Sequence, residues 1–119
     1  MILFASDLDN TLIHSYKRAD SADICVETKD SKCLSYMTPK AYTMLQKLDG
    51  VCFVPITTRS LEQYRRIKLF DDKLPRYALT SNGGLLLVND EIDAEWRMDS
   101  LKLIKDCMPE LENAIKCLE

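Results

Sequence analysis

Ile2-Leu3-Phe4-Ala5-Ser6-Asp7-Leu8-Asp9-Asn10-Thr11 opens the chain with an apolar run that ends in two carboxylates, two residues apart. A short continuous apolar run bounded by polar residues reads as a β-strand buried on both faces, the pattern of a parallel sheet. Its polar carboxyl end is where open α/β sheets present groups to ligands. Two acids in that place are costly to bury unless a cation or hydrogen-bond donors compensate them. Their location therefore argues for a site more strongly than the Asp-x-Asp spacing does.

Working outward, two more strand ends repeat the arrangement. Val51–Ile56 reads as a second buried strand with Pro55 near its end, followed by Thr57, Thr58 and Arg59. Ser60 then caps a helix carrying Leu61, Tyr64, Ile67 and Lys68. Hydroxyl groups at a helix amino terminus make a ready anion site, although Thr57, Thr58 and Ser60 would also serve simply as caps. Tyr77–Thr80 reads as a third strand, Ser81-Asn82-Gly83-Gly84 as a turn, and Leu85–Val88 as a fourth strand closed by Asn89-Asp90.

Between the first two strands, residues 24–37 carry β-favouring side chains on both sides of Lys29-Asp30-Ser31-Lys32, which predicts a hairpin. Thr38-Pro39 is a helix start, with threonine as cap and proline at the first helical position. Ala41, Met44, Leu45 and Leu48 follow at helical spacing, and Gly50 ends that element. Residues from about 100 to 118 read as helical, with a break at Pro109. Strand, helix, strand, helix, strand is the alternation of an α/β domain with a parallel sheet.

The 119 residues fit one compact domain. A net charge of -3 without a basic run gives no electrostatic footprint for nucleic acid or an anionic membrane. No apolar run approaches membrane-spanning length, and the opening stretch meets Asp7 too soon for a signal peptide. Five cysteines without a CxxC pair or zinc-type spacing predict reduced thiols and a cytoplasmic protein; Cys25 and Cys33 could meet across the hairpin. His14 is expected in a loop, Cys52 in the core, and Trp96 at the core or its rim.

Taken together, the three polar strand ends resemble a known family. Asp7-Leu8-Asp9-Asn10-Thr11 looks like the first motif of the haloacid dehalogenase superfamily of aspartate-nucleophile phosphohydrolases. Ile56-Thr57-Thr58-Arg59-Ser60 looks like its second motif in the form found in Cof-type and sucrose-phosphatase-like members, with Thr58 where glycine is usual. Ser81-Asn82-Gly83-Gly84 is similar to the asparagine-glycine turn those members place before their cap. The resemblance covers about residues 1–88.

It implies a Rossmann-like core over 1–90 with a hairpin flap at about 24–37, and a helical segment over 91–119 as the possible start of a cap. It further implies a small phosphorylated substrate, Asp7 as nucleophile, and Asp9 as the acid and then the base. Thr57, Thr58, Arg59 and Asn82 would hold the phosphate, Thr11 would brace the loop, and Mg²⁺ would be bound at Asp7 and Asp9. The family's lysine motif and distal acidic pair have no convincing equivalent here. Lys102 and Lys105 read as a solvated helix face, and Asp90, Asp93 and Asp106 lack a glycine-led context. The expectation is therefore a truncated or incomplete phosphohydrolase, or alternatively a non-catalytic binding module or one part of a split enzyme. In the family's strand order the first strand would then lie at an edge, predicting a homodimer or a companion chain there.

Overall fold

The three apolar strands with polar carboxyl ends do lie side by side. The computed structural model describes residues 1–118. In chain order its elements are β1 (Ile2–Asp7), β2 (His14–Ser15), β3 (Ile24–Lys29), β4 (Lys32–Met37), α1 (Pro39–Gln46), β5 (Val51–Ile56), α2 (Leu61–Arg65), β6 (Tyr77–Thr80), β7 (Leu85–Val88), β8 (Glu91–Ile92), α3 (Ala94–Lys105) and α4 (Met108–Leu118). One sheet runs β1-β5-β6-β7-β8, and a second, three-stranded sheet runs β2-β4-β3.

The fold is mixed α/β, and the larger sheet is only partly parallel. β1, β5 and β6 run parallel, in register from Ile2 opposite Val51 to Asp7 opposite Ile56, whereas β7 and β8 are antiparallel. The all-parallel expectation fails at the Ser81-Asn82-Gly83-Gly84 turn, because four residues cannot make the crossover that a parallel neighbour needs. Ser81, Asn82 and Gly83 instead take left-handed backbone angles, with φ of 53°, 55° and 86°, and fold the chain straight back.

β1 lies at the sheet edge, as the resemblance implied, but is not buried as its composition suggested. Its sequence is that of a strand buried on both faces, yet Ile2 and Leu3 are 66% and 67% exposed. The strand is at the sheet edge, and α1, the helix that leads into its neighbour β5, buries Leu45 in the core without covering it. The core lies instead around Leu8, Ile13, Val26, Met37, Phe53 and Leu87, between the large sheet and the hairpin. Burying those side chains is worth roughly 1.5–3 kcal/mol each for the larger ones.

The hairpin forms as the sequence predicts, with Asp30 and Ser31 at φ of 50° and 62° in a two-residue turn. Cys25 and Cys33 form a disulfide across it, their Cα atoms 5.9 Å apart, which corrects the expectation of reduced thiols throughout. Cys52 is half-buried, not core, while Cys107 and Cys117 are exposed. Far from being a free flap, β3 is held to the body. The Lys68 N–H donates to the Val26 carbonyl at 2.7 Å, and Glu27 bridges to Ile67. That pairing explains why α2 stops at Arg65, short of the predicted Ile67 and Lys68.

Thr38 caps α1 as read, its hydroxyl accepting the Ala41 N–H at 3.3 Å, but the helix closes at Lys47. Gly50 serves the turn into β5, at φ 64°. The carboxyl-terminal helical region starts six residues earlier than expected, because Asp93 accepts the Trp96 N–H and caps α3. The break comes at Asp106-Cys107, with Pro109 in the first turn of α4, where its missing N–H costs little. Among the described residues, no helix is long and apolar enough to cross a membrane.

Candidate functional site

The geometry of the first loop follows from Leu8. Its side chain is fully buried and its carbonyl accepts the N–H groups of Thr11, Leu12 and Ile13 at 3.0–3.1 Å. Anchoring Leu8 leaves Asp7 and Asp9 on the solvent side of the strand end. Asn10 closes the loop at φ 60°, a conformation asparagine tolerates better than most residues, and its N–H donates to the Ile13 carbonyl at 2.8 Å. The Thr11 hydroxyl donates to Asp7 Oδ2 at 3.1 Å, the bracing role expected of it.

The second and third loops are stitched to one another. The Thr57 N–H donates to Leu79 O at 2.9 Å, Asn82 N–H to Thr57 O at 3.2 Å, and Ser81 N–H to Arg59 O at 2.8 Å. With Gly84 N–H bonded to Ser81 O, the turn spends these N–H groups internally. It braces the loop; its contribution to a ligand would come from the Asn82 side chain. The indole N–H of Trp96 fixes the same turn from outside, donating to Gly83 O at 2.9 Å. Nothing in the sequence flagged that contact, since Trp96 lies thirteen residues on and in another element.

As a result Asp7, Thr57, Thr58 and Asn82 line one cavity of about 290 Å³ together with Ala5, Ser6 and Ile56. Two larger clefts, of about 510 and 590 Å³, are lined by none of the predicted site residues. Thr57 is buried, and its oxygen accepts the Arg59 N–H at 3.1 Å while its own proton remains for donation. The helix amino terminus contributes less than the sequence implied. α2 has five residues, and Ser60 and Gln63 cap it reciprocally at 3.3 and 3.1 Å.

Asp9 and Arg59 stand beside this cavity, engaged with each other. Arg59 donates from Nε to Asp9 Oδ2 and from Nη2 to Asp9 Oδ1, both at 2.8 Å. It also donates from Nη1 to Glu27 Oε2 at 2.7 Å, from Nη2 to Glu27 Oε1 at 3.1 Å and from Nη1 to Gln63 O at 3.5 Å. That makes five bonds from a guanidinium with five N–H groups, so none is left over for a phosphate in this arrangement. Hydrogen bonding to Asp9, opposed by burial and reinforced by Glu27, raises the Arg59 pKa still further above its ordinary value.

Glu27 is the site-adjacent residue that sequence reading missed. It is 2% exposed and also accepts from Ser35 Oγ at 2.6 Å and Arg66 Nε at 3.2 Å. Burial pushes its pKa up, but the hydrogen bonds from Arg59 and Ser35, the Arg59 charge and the Arg66 hydrogen bond together bring it below the usual glutamate value. His14, expected in a loop, opens β2 and bonds to Asp23 Oδ2 at 2.7 Å.

A magnesium site is not assembled here. Asp7 is the one charged residue lining the cavity, and each Asp9 oxygen accepts an N–H of the Arg59 cation. Among the described residues, no three His, Cys, Asp or Glu side chains converge. An octahedral hard cation would keep mostly water ligands on such a donor set. Compared with known proteins, the chain matches no family model and no curated protein.

Proposed function

We propose that the cavity at Asp7 is a phosphate-monoester site of the aspartate-nucleophile kind, as the likeness to the haloacid dehalogenase superfamily implies. The observation that carries this reading is the meeting of Asp7, Thr57, Thr58 and Asn82, drawn from three separate strand ends, around one small cavity. In it an Asp7 oxygen attacks phosphorus, the bond from phosphorus to the leaving oxygen breaks, and the leaving group takes a proton. Water then cleaves the aspartyl phosphate and frees Asp7. Thr57 donates its hydroxyl proton to a phosphoryl oxygen, with Thr58 and Asn82 as further polar contacts. Asp9 stands beside the cavity to serve as acid and then base, each of its oxygens accepting one Arg59 N–H and keeping a second lone pair.

The donor set does not fit a tightly held Mg²⁺, and no step is assigned to one. The reading carries Mg²⁺ only as a weakly bound ion. The Arg59 hold on Asp9 favours the second reading, a site that binds phosphorylated metabolites in the cytoplasm without turning them over. Under either reading the uncovered β1 edge pairs with a second copy of the chain or with a companion chain.

Titration of the isotopically labelled chain with inorganic phosphate tests the shared premise. Amide signals of Thr57, Thr58 and Asn82 should shift and saturate in the millimolar range. Shifts elsewhere, or none, would remove the premise.

A further inference from the structure

Between Ile24 and Lys29, strand β3 should place alternate side chains on opposite faces. Val26 and Glu27 are nevertheless both buried. The cause is a slip in the pairing with β4 on either side of Glu27, where Cys25 faces Tyr36, Glu27 faces Ser35 and Thr28 faces Cys33. An irregularity of this kind re-aims a side chain and is found next to functional sites. Here it turns a carboxylate inward, against two arginines.

Neutralising a buried glutamate requires no contact with the strand-end loop. Arg66 and Ser35 already give Glu27 one cation and one neutral donor. Arg59 adds something they do not, because the far side of its guanidinium grips both oxygens of Asp9. Glu27 and Asp9 are thus joined through one planar, rigid group whose fork suits two carboxylates.

We infer that Glu27 is a positioning residue of the proposed phosphate site: by holding Arg59 it fixes where the Asp9 carboxylate sits beside the cavity at Asp7. The inference rests on the assignment of Asp7 and Asp9 as the reacting pair. Each Asp9 oxygen accepts one Arg59 N–H and keeps a second lone pair, so the fork fixes the place of the carboxylate without closing it to a substrate or water. Through Glu27, the three-stranded hairpin sheet becomes the third component of the site beside the loops after β1 and β5.

The test uses the full chain, labelled with ¹³C and ¹⁵N, and compares wild type with Glu27→Gln. Loss of the Glu27 charge should speed hydrogen exchange of the Arg59 Nε–H at least tenfold and move the Asp9 carboxyl signal. The Asp7 carboxyl and the backbone amides of β1 and β5 should stay in place, which a general loosening of the fold would not allow. Should Glu27→Gln fail to fold, Ser35→Ala keeps the charge, removes one restraint on Glu27 and should give a smaller change of the same sign. An Arg59 N–H and an Asp9 carboxyl that ignore both substitutions would overturn the inference. Inorganic phosphate, added to each sample, separates it from its premise. Shifts at Thr57 and Asn82 with an Asp9 indifferent to Glu27 remove only the positioning role. No shift at Thr57 and Asn82 in wild type removes the site, and the positioning role with it.

Discussion

The hairpin side of the molecule and the β1 side invert the usual distribution of residue types. On the hairpin side an acid and an arginine are buried together, Glu27 at 2% and the Arg59 side chain at 14% exposure, with hydrogen bonds to both oxygens of the acid and to the whole guanidinium. On the β1 side an apolar strand faces solvent; toward the opposite edge of the sheet, where α3 packs against β7, Leu101, Ile104, Leu111 and Ile115 of α3 and α4 are about half exposed as well. Charges can be buried where every donor finds an acceptor, whereas an apolar run records a need for cover that its own chain need not meet. The first region is internally satisfied; the second is left uncovered.

The largest effect should come from breaking the satisfied side. Glu27→Ala leaves Arg59 and Arg66 without their shared acid, and removing one member of a buried pair costs about 3–5 kcal/mol. Urea denaturation should show that loss, while Leu3→Ala on the open strand should cost no more than about 0.5 kcal/mol. The Glu27 contribution also has a pH signature. Its folded pKa is depressed, so the stabilisation is present above the ordinary value of 4.5 and is lost as pH falls through the lower folded value. The acid limb of a stability profile should flatten in Glu27→Ala.

A smaller effect sharpens the same contrast. The disulfide spans a sequence separation of eight residues, and closing a loop of that size is worth about 2–3 kcal/mol on the chain-entropy account. Reduction should lower the denaturation midpoint by a corresponding amount and should not alter association. The smallest change in stability should accompany the clearest change in assembly. Leu3→Lys places a charge on the free edge, a common natural block to strand pairing. Sedimentation across a concentration series should show self-association of the wild type and a monomer for Leu3→Lys, at nearly the same melting temperature. A wild type that is monomeric throughout would mean that the open side needs no cover.

The features legible in the sequence were those set by local chemistry. Thr38-Pro39 starts a helix because the hydroxyl cap and the missing proline N–H act within one turn, and Tyr77–Thr80 and Leu85–Val88 are bounded by turn residues at both ends. The gathering of Asp7, Thr57 and Asn82 was legible for a related reason, since each ends a strand and the strands pair directly. Long-range effects were not. α2 ends early because Ile67 and Lys68 are drawn to β3, forty residues away in the chain. Glu27 sits in a run of β-formers and looks like an ordinary outward-facing strand residue; only the slipped pairing with β4 turns it inward. Arg59 was expected to hold phosphate from the resemblance of its motif, but two carboxylates from other elements occupy it. The exposure of β1 could not be read from its composition, which matches that of buried β5.

The most direct test of the account is whether the Asp7 carboxylate can form a phosphoryl-like adduct. Beryllofluoride attaches to an aspartate oxygen as a mimic of the aspartyl phosphate, and ¹⁹F spectra of the chain with beryllium, fluoride and millimolar Mg²⁺ would report it. The expected result is a protein-bound signal in wild type that Asp7→Asn abolishes, accompanied by shifts at Thr57 and Asn82. A bound signal that survives Asp7→Asn, or no bound signal at any concentration reached, would contradict the assignment of Asp7 as nucleophile.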